Sequence, residues 1–260
     1  MTQSSVPAAS LPGGGSMPLL GFGTWQITGS QCYDAVRTAL DVGYRHLDTA
    51  TVYRNEEEVG RALKDSGVPR EEVFVTTKVP PRGRDPRQTL DASLQKLGLD
   101  AVDLWLVHWT EGGGIHEDLW QVFLEARDGG KVRDVGVSNY TLDQIDRLTD
   151  ATGRQPAVNQ IEWAPTLYDE EVERGHEQRG IVLEGYSALK VTDLDHPVLR
   201  DIAGAHGVTP VQVLLRWHLD HGFVAIPKSV TPERIEANFA ISGFSLDEEE
   251  LRRIDGLAGS

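Results

Sequence analysis

The sequence predicts an α/β protein, a (β/α)8 TIM barrel, from three observations. Eight short apolar runs alternate with amphipathic helical patterns from Pro18 onward. Several runs are almost continuously apolar, which is typical of strands buried on both faces. The length of 260 residues suits one such barrel, which takes about 250 residues. We therefore expect a single barrel domain over residues 1–260, with a short N-terminal hairpin or loop and a C-terminal helix.

The predicted strands follow a glycine-rich N-terminal segment. Leu11–Ser16 indicates a turn or loose hairpin, and we expect residues 1–17 to be loosely ordered. A strand followed each time by a helix favours a closed barrel over a doubly wound sheet. The eight predicted strands are Leu19–Phe22, Tyr44–Leu47, Val73–Thr77, Val102–Val107, Val132–Val137, Ala157–Ile161, Ile181–Gly185 and Phe223–Ile226.

The predicted helices carry apolar residues on one face. In the stretch that begins at Thr209, Pro210 takes the first helical position, where proline is favoured. The last predicted helix is acidic and ends near the end of the sequence. The predicted helices include Gln31–Val42, Arg87–Leu97, Asp118–Arg127, Leu142–Thr149, Val211–Leu219 and Asp247–Leu257.

Composition excludes several classes of function. The formal net charge of −15 disfavours binding to nucleic acid or to an anionic membrane. Cys32 is the only cysteine, so we expect no internal disulfide and no thiol metal cluster. Residues 1–10 lack the basic and apolar parts of a secretory signal, and no apolar run approaches the ~18 residues of a membrane span. We expect a cytoplasmic protein without a metal site; His218 and His221, three residues apart, read as ordinary polar residues.

Four polar residues follow the ends of predicted strands. Asp48, Lys78 and His108 each close an apolar run and are spaced 30 residues apart, which suits one strand plus one helix. Tyr53 follows Asp48 after a short loop. The carboxyl ends of the strands of a parallel barrel meet at one face, where such barrels build their active sites. We expect these four side chains to lie together.

Each of these residues also has an ordinary explanation when it is taken alone. Asp48 could cap a helix or a turn, and Tyr53 could be a packed aromatic with its hydroxyl in water. Lys78 could be solvated, and His108 could be a core histidine. The joint pattern is harder to explain in this way, because neighbouring strands lie only about 5 Å apart.

The stretch from Gly43 to Glu56, GYRHLDTATVYRNE, resembles the signature of the aldo-keto reductase family. The resemblance runs from about Leu20 to Leu257 and is closest to bacterial members such as the diketogluconate reductases. Five further motifs match in the same order: Thr77-Lys78, Asp103–Trp109, Gly136–Asn139, Asn159–Glu162 and Ile226–Pro232.

The resemblance implies a role for each of the four polar residues. Tyr53 would be the general acid that protonates the carbonyl oxygen. A free phenol has a pKa of ~10, and a buried Lys78 ammonium beside it is expected to lower that pKa. Asp48 would hold Lys78 charged, and His108 would hydrogen-bond and orient the substrate carbonyl.

A cofactor site is predicted after the last strand. Thr231 can cap a helix that Pro232 opens, and a helix start beside Lys228 and Arg234 is typical of an anion site. The alternative is a capped helix with two solvated cations. In the resembled family this segment holds the 2′-phosphate of NADPH, so the resemblance implies NADPH/NADP+ as cofactor. It assigns cofactor contacts to Ser138, Asn139, Gln160, Tyr186, Ser187, Leu189, Lys228, Ser229, Val230, Arg234 and Asn238.

The resemblance places Trp25 and Trp109 in the wall of a substrate pocket, although both could equally be packing residues. The loop from Glu111 to Gly114 is short and glycine-rich, and the sequence stops at Ser260 without the family's extended C-terminal loop. We expect from these features an open and less selective pocket.

The leading hypothesis is a monomeric NADP-dependent carbonyl reductase (EC 1.1.1.-) that acts on a small aldehyde, ketone or keto-sugar. One alternative is a catalytically silent barrel that binds NADPH or serves as a structural protein; the intact Asp48, Tyr53, Lys78 and His108 argue against it. Another is a metal-dependent barrel hydrolase or isomerase, which lacks clustered ligands in the sequence.

Overall fold

Eight parallel strands form the centre of the computed structural model, which describes residues 6–259. A hairpin of β1 (Ala8–Ser10) and β2 (Ser16–Pro18) precedes them. The predicted (β/α)8 barrel is confirmed. The barrel strands β3 to β10 are Phe22–Gly23, His46–Asp48, Phe74–Val79, Val102–Val107, Val132–Ser138, Val158–Glu162, Val182–Tyr186 and Val224–Ala225.

The barrel strands pair in chain order, and each pair is parallel. Leu20 bridges to Ala225 in parallel, and the amide of Gly21 donates to the Ala225 carbonyl at 2.8 Å. These contacts join the first strand to the last and close the sheet. All eight carboxyl ends therefore point to the same face of the molecule.

Helices surround the strands. The predicted C-terminal helix is present as the last of them, and three helices, rather than one, lie between β9 and β10. The helices α1 to α11 are Gly29–Val42, Glu56–Ser66, Pro86–Leu97, Glu117–Asp128, Leu142–Thr152, Glu170–Arg179, Ala188–Val191, Pro197–His206, Pro210–Asp220, Pro232–Phe239 and Glu248–Asp255.

The core lies between the strands and these helices. Trp105 of β6 stacks on Phe123 of α4, with ring centroids 3.7 Å apart. Close approach also requires a glycine at Gly60 of α2, because a Cβ there would lie 2.3 Å from the Leu97 carbonyl oxygen of α3. This contact fixes how tightly two neighbouring helices pack behind the strands that carry Asp48 and Lys78.

The N-terminal hairpin covers the end of the barrel opposite the strand carboxyl ends. Met17 is fully buried, and the Gly13 amide donates to Asp134 Oδ1 at 2.7 Å near the start of β7. One buried side chain and one carboxylate thus anchor the glycine-rich turn between β1 and β2. The expected loose order of residues 1–5 falls outside the described residues.

No helix within residues 6–259 is both long enough and apolar enough to cross a membrane.

Candidate active site

The four polar residues predicted to converge lie at the carboxyl ends of three neighbouring strands. Asp48 ends β4, Lys78 is the next-to-last residue of β5, and His108 follows β6. Tyr53 ends a short 3-10 turn, Thr51–Tyr53, directly after β4. The strand order places β4, β5 and β6 side by side, so the even spacing in sequence becomes proximity in space.

Lys78 connects Asp48 to Tyr53. Its ammonium donates to Asp48 Oδ1 at 2.6 Å, to the Thr49 carbonyl at 3.0 Å and to the Tyr53 hydroxyl at 3.4 Å. Lys78 is completely buried. Burial alone would lower the pKa of the ammonium, but Asp48 and Tyr53 outweigh burial and raise it. Lys78 is therefore a cation held inside the barrel.

The acidity of Tyr53 differs from the sequence-based expectation. Burial raises the pKa of its phenol, and the Lys78 ammonium opposes that rise without overcoming it. The pKa is therefore raised rather than lowered as expected. Withdrawal from water penalises the phenolate, and the sequence alone gives no measure of how deeply the ring is packed.

His108 faces Tyr53 as a neutral ring. The two ring centroids are 5.7 Å apart. Burial, with a smaller contribution from Lys78, lowers the pKa of His108 to about 3. Its Nδ1 atom is buried and makes no hydrogen bond with the described residues. A neutral imidazole carries one N–H group, which can donate to a carbonyl oxygen. A charged imidazolium would be repelled by the Lys78 ammonium.

A second layer of hydrogen bonds fixes the loop that carries Tyr53. Thr51 Oγ1 donates to the Lys78 carbonyl at 3.0 Å. The fully buried Asn55 donates to the carbonyls of Thr24 and Ile27 at 2.9 and 2.8 Å. Sequence reasoning assigned no role to Thr51 or Asn55, although both lie within the matched motif.

A cavity of about 570 Å³ opens at this end of the barrel. Lys78 lies behind its wall, whereas the other three residues line it. The lining also includes most of the residues predicted to contact cofactor or substrate, namely Trp25, Trp109, Ser138, Asn139, Gln160, Tyr186, Ser187, Leu189 and Lys228.

One wall of the cavity is a connected set of polar side chains. Asn139 donates to Ser138 Oγ at 2.9 Å and accepts from the Tyr186 hydroxyl at 2.7 Å. Gln160 donates to Asp48 Oδ2 at 2.9 Å. Asn139 holds a left-handed backbone, with φ of 63°. The second carboxylate oxygen of Asp48 is thus tied to the wall that carries Ser138, Asn139 and Gln160, for which the resemblance implies cofactor contacts.

The predicted anion segment lies at the far side of the cavity. Lys228 reaches the lining, while Ser229, Val230, Arg234 and Asn238 lie outside it. Among the described residues, neither Lys228 nor Arg234 forms an ion pair. Both are exposed, so two cations are available to an anionic group that extends out of the cavity.

The predicted cap of this segment is wrong in one detail. Thr231 precedes α10 with an extended backbone, but its side chain makes no capping hydrogen bond. Instead, the Thr231 amide donates to Ser229 Oγ at 3.1 Å. The serine occupies the turn before the helix, and the first helical amides are left without a side-chain partner.

The two tryptophans predicted as pocket walls border the cavity mouth. Trp25 and Trp109 are 46% and 47% exposed, which excludes ordinary core packing for both. Trp109 stacks on His108 at 5.5 Å, and Lys190 lies 5.9 Å from the Trp25 ring. Their exposed faces are free to contact a ligand.

Sequence reasoning missed several lining residues and one buried acid. Glu184 of β9 is completely buried in the barrel. A charged residue inside the nearly apolar run Ile181–Gly185 was the signal that could have identified it. The missed lining residues include Gly23, Gln26, Val52, Glu162, Lys190, Leu215 and Pro227.

In the part of the chain that the structure describes, no group of three or more His, Cys, Asp or Glu side chains is arranged to hold a metal ion.

Comparison with known proteins places these features in a family. The model of the aldo/keto reductase family matches residues 19–258. A curated relative from Escherichia coli, named methylglyoxal reductase DkgA, is 42% identical over 249 residues, which cover 94% of this chain and 90% of the relative.

Solved structures agree. The crystal structure of an aldo/keto reductase from Brucella melitensis has a TM-score of 0.93 at 39% identity, covering 97% of this chain and 100% of that chain. The crystal structure of a Bombyx mori aldo-keto reductase in complex with NADP has a TM-score of 0.90 at 33% identity, covering 99% and 94%.

Proposed function

Because the chain belongs to the aldo/keto reductase family, we propose that it reduces small aldehydes and ketones to alcohols with NADPH, using Tyr53 as the general acid. The observation that carries this proposal is the buried Lys78 ammonium, which lies 2.6 Å from Asp48 and 3.4 Å from the Tyr53 hydroxyl. The arrangement places the phenol at the cavity wall with a cation behind it.

Each of the four residues has a distinct task in this proposal. His108, as a neutral donor, binds the carbonyl oxygen and orients it beside the Tyr53 hydroxyl. Tyr53 transfers its proton to that oxygen as negative charge develops there. The Lys78 cation stabilises the phenolate that remains, and Asp48 keeps Lys78 in place. A bound nicotinamide supplies the hydride for the carbonyl carbon.

The chain's own residues fit such a cofactor. The cavity connects Tyr53 to Lys228, and the Ser138, Asn139 and Gln160 side chains offer amide and hydroxyl groups for a carboxamide. The half-buried Tyr186 presents a ring in the same wall. Beyond Lys228, the unpaired Arg234 suits a 2′-phosphate, since guanidinium binds phosphate in a bidentate manner. The Bombyx mori protein, which is 33% identical, is described in complex with NADP.

The substrate class rests on the cavity and on the relatives. Two half-exposed tryptophans at the mouth favour small organic carbonyl compounds over polymers. The Escherichia coli relative is named a methylglyoxal reductase, so methylglyoxal, aromatic aldehydes and keto-sugars form the first panel. We also propose that the protein acts as a monomer in the cytoplasm; size-exclusion chromatography with light scattering tests the first point.

The decisive experiment is Tyr53→Phe. Removing the general acid is expected to slow carbonyl reduction by ~10²–10⁴-fold, measured as NADPH consumption, while NADPH binding measured by fluorescence titration persists. Tyr33→Phe is the matched control, because Tyr33 hydrogen-bonds Asp65 on the surface and its loss should leave turnover unchanged.

Near-normal turnover in Tyr53→Phe would overturn the assignment of the acid. A wild-type protein that binds NADPH but reduces no member of the panel would instead support the alternative of a catalytically silent barrel.

A further inference from the structure

Glu184 is a buried acid that the proposed chemistry does not use. It lies in the middle of β9, with Gln160 of β8 and Val224 of β10 as its paired neighbours. Its side chain is completely buried, and neither carboxylate oxygen makes a hydrogen bond of good geometry with the described residues, although the neighbouring Gln160 side chain interacts with the carboxylate. An ionised carboxylate with so little hydrogen bonding is costly in such a position.

The side chains that face Glu184 come from other strands and from the turn after β4. His46 of β4 is one of them, with Nε2 at 3.7 Å from Glu184 Oε1. The His46 ring packs directly against the backbone of Gly21, where a Cβ would lie 2.5 Å from Nδ1. Asp48, Lys78 and Tyr53 interact with Glu184 electrostatically from the same interior. Glu184 therefore shares its environment with three residues of the proposed site.

The charges in this interior favour a protonated Glu184. Burial, followed by the negative charge of Asp48, raises the pKa of Glu184 to about 8, and Lys78 and the Gln160 side chain oppose that rise. Burial lowers the pKa of His46 to about 4, so this neighbour of Glu184 is neutral. The Asp48–Lys78 pair is then a balanced ion pair, and no uncompensated negative charge acts on Tyr53.

We propose that Glu184 is a positioning residue for the reduction. While Glu184 keeps its proton, the Lys78 cation remains free to act on Tyr53. The inference rests on the proposed function of the site. When Glu184 loses its proton, a second negative charge faces Lys78 and Tyr53. That charge holds the phenol proton more tightly, so proton donation to the substrate slows.

The test compares pH profiles of Glu184→Gln and wild type. Glutamine keeps the size and neutrality of the protonated acid but cannot ionise. We expect wild-type kcat with a saturating aldehyde, normalised to its value near pH 6.5, to decline through about pH 8. The variant's normalised kcat should remain roughly three- to tenfold higher than the wild-type value near pH 9.

Glu56→Gln is the matched control. Glu56 is a buried acid at the same end of the barrel, but it accepts a hydrogen bond from Thr77 at 2.7 Å and lies 3.7 Å from Lys96. We expect its normalised profile to follow that of wild type. The other groups that face Glu184 are His46, Asp48, Lys78, Tyr53 and Gln160, and Glu184→Gln leaves all five intact.

Two readouts do not depend on turnover. Infrared difference spectra of wild type should show a protonated carboxyl band that disappears as pH rises through about 8 and is missing in Glu184→Gln. The pKa of Glu184 in the folded protein lies above the ordinary carboxyl value of ~4.3. The bound proton therefore stabilises the fold fully below about pH 4.3, and this stabilisation is lost as pH rises through about 8. The melting temperature of Glu184→Gln relative to wild type should therefore increase with pH.

The outcomes separate this inference from the proposed function. Superimposable normalised profiles for wild type and Glu184→Gln overturn the role of Glu184, even if Tyr53→Phe abolishes turnover. Absence of the carboxyl band overturns it independently, and this measurement needs only wild-type protein. If wild type reduces no carbonyl compound, the proposed function fails, and the infrared and melting data still report whether Glu184 holds its proton.

Discussion

Burial, rather than the nearby ammonium, determines the direction of the pKa shift at Tyr53. The phenol of Tyr53 has a raised pKa although an ammonium lies 3.4 Å from its oxygen, and His108 is neutral for the same reason. A bound ligand that adds charge to the cavity would change this balance. The raised pKa favours the protonated phenol at Tyr53.

At the scale of single residues, Arg234 should discriminate between the two nicotinamide cofactors. It is exposed and unpaired near the start of α10, and only NADPH carries a 2′-phosphate. We expect Arg234→Ala to weaken NADPH binding by ~10–100-fold, the range for losing a charge-assisted hydrogen-bonding group worth about 1.5–3 kcal/mol. Binding of NADH should change little.

Fluorescence titration of both cofactors measures this difference. Arg200→Ala, which changes an arginine away from the cavity on α8, serves as the control and should bind both cofactors as wild type does. If Arg234→Ala weakens NADPH and NADH equally, Arg234 does not contact the 2′-phosphate.

The sequence was sufficient to bring four polar residues together, because spacing and strand order determine that proximity. It was not sufficient for their proton affinities. Whether Lys78 overcomes the burial of Tyr53 depends on how closely the barrel packs around both, and packing depends on residues far apart in the chain. Glu184 was overlooked because one acid in an apolar run looks like an exception until its neighbours on other strands are known.

Among the secondary-structure elements, three helices meet at His221. Its Nδ1 lies 3.1 Å from Glu173 of α6, and its Nε2 lies 3.0 Å from Asp255 of α11. Trp217 of α9 donates to the same Asp255 oxygen at 2.7 Å. The sequence indicated that His221 is merely polar, whereas it joins the C-terminal helix to the barrel.

This junction predicts a pH-dependent stability. Burial would lower the pKa of His221, but Asp255 and Glu173 outweigh it and raise the pKa to about 9. The folded pKa exceeds the unfolded value of ~6.5. The stabilisation is therefore complete below about pH 6.5 and lost as pH rises through about 9. We expect His221→Gln to lower the free energy of unfolding by about 2–3 kcal/mol near pH 6.

Urea unfolding at several pH values checks this expectation. The difference in unfolding free energy between wild type and His221→Gln should shrink towards pH 10, since wild type loses the same interaction there. Arg147→Gln removes an exposed pair with Asp143 and should cost at most about 1 kcal/mol at any pH. A deficit for His221→Gln that does not vary with pH would mean that packing, rather than charge, holds the junction.

Element boundaries were less predictable than element types. Every predicted barrel strand overlaps an observed one, yet β3 and β10 contain only two residues each. The apolar runs around β3 and β10 are longer than the strands themselves, because the flanking residues face the core but do not complete the strand pairing. The hairpin of β1 and β2 was recognisable only by its turn, since its anchor, Asp134, lies more than a hundred residues away.

At the scale of the whole molecule, the cavity mouth predicts broad substrate use. Trp25 and Trp109 are half exposed around a cavity of about 570 Å³, so a substrate makes few enclosing contacts. Each apolar contact that the open mouth does not make with a substrate removes ~1–3 kcal/mol of the binding free energy that could discriminate between substrates, and we assume one or two such contacts. We therefore expect kcat/KM for small and bulky aromatic aldehydes to fall within roughly two orders of magnitude.

A kinetic panel with NADPH tests this breadth. The same panel on Trp109→Ala shows whether that ring contributes binding to all substrates or only to the bulky ones. A single substrate preferred by ~10⁴-fold would contradict the open mouth, since selectivity of that size requires matched polar groups.

The hairpin at the closed end of the barrel has a practical consequence. Pro7 accepts from the Leu19 amide, and Pro18 lies against His46 at the start of β4, so Val6 and Pro7 lie at the end of the barrel away from Trp25 and Trp109. A fusion partner, an affinity tag or a solid support joined there would face away from the cavity. Immobilised in that orientation, the molecule would present its open mouth to the surrounding solution.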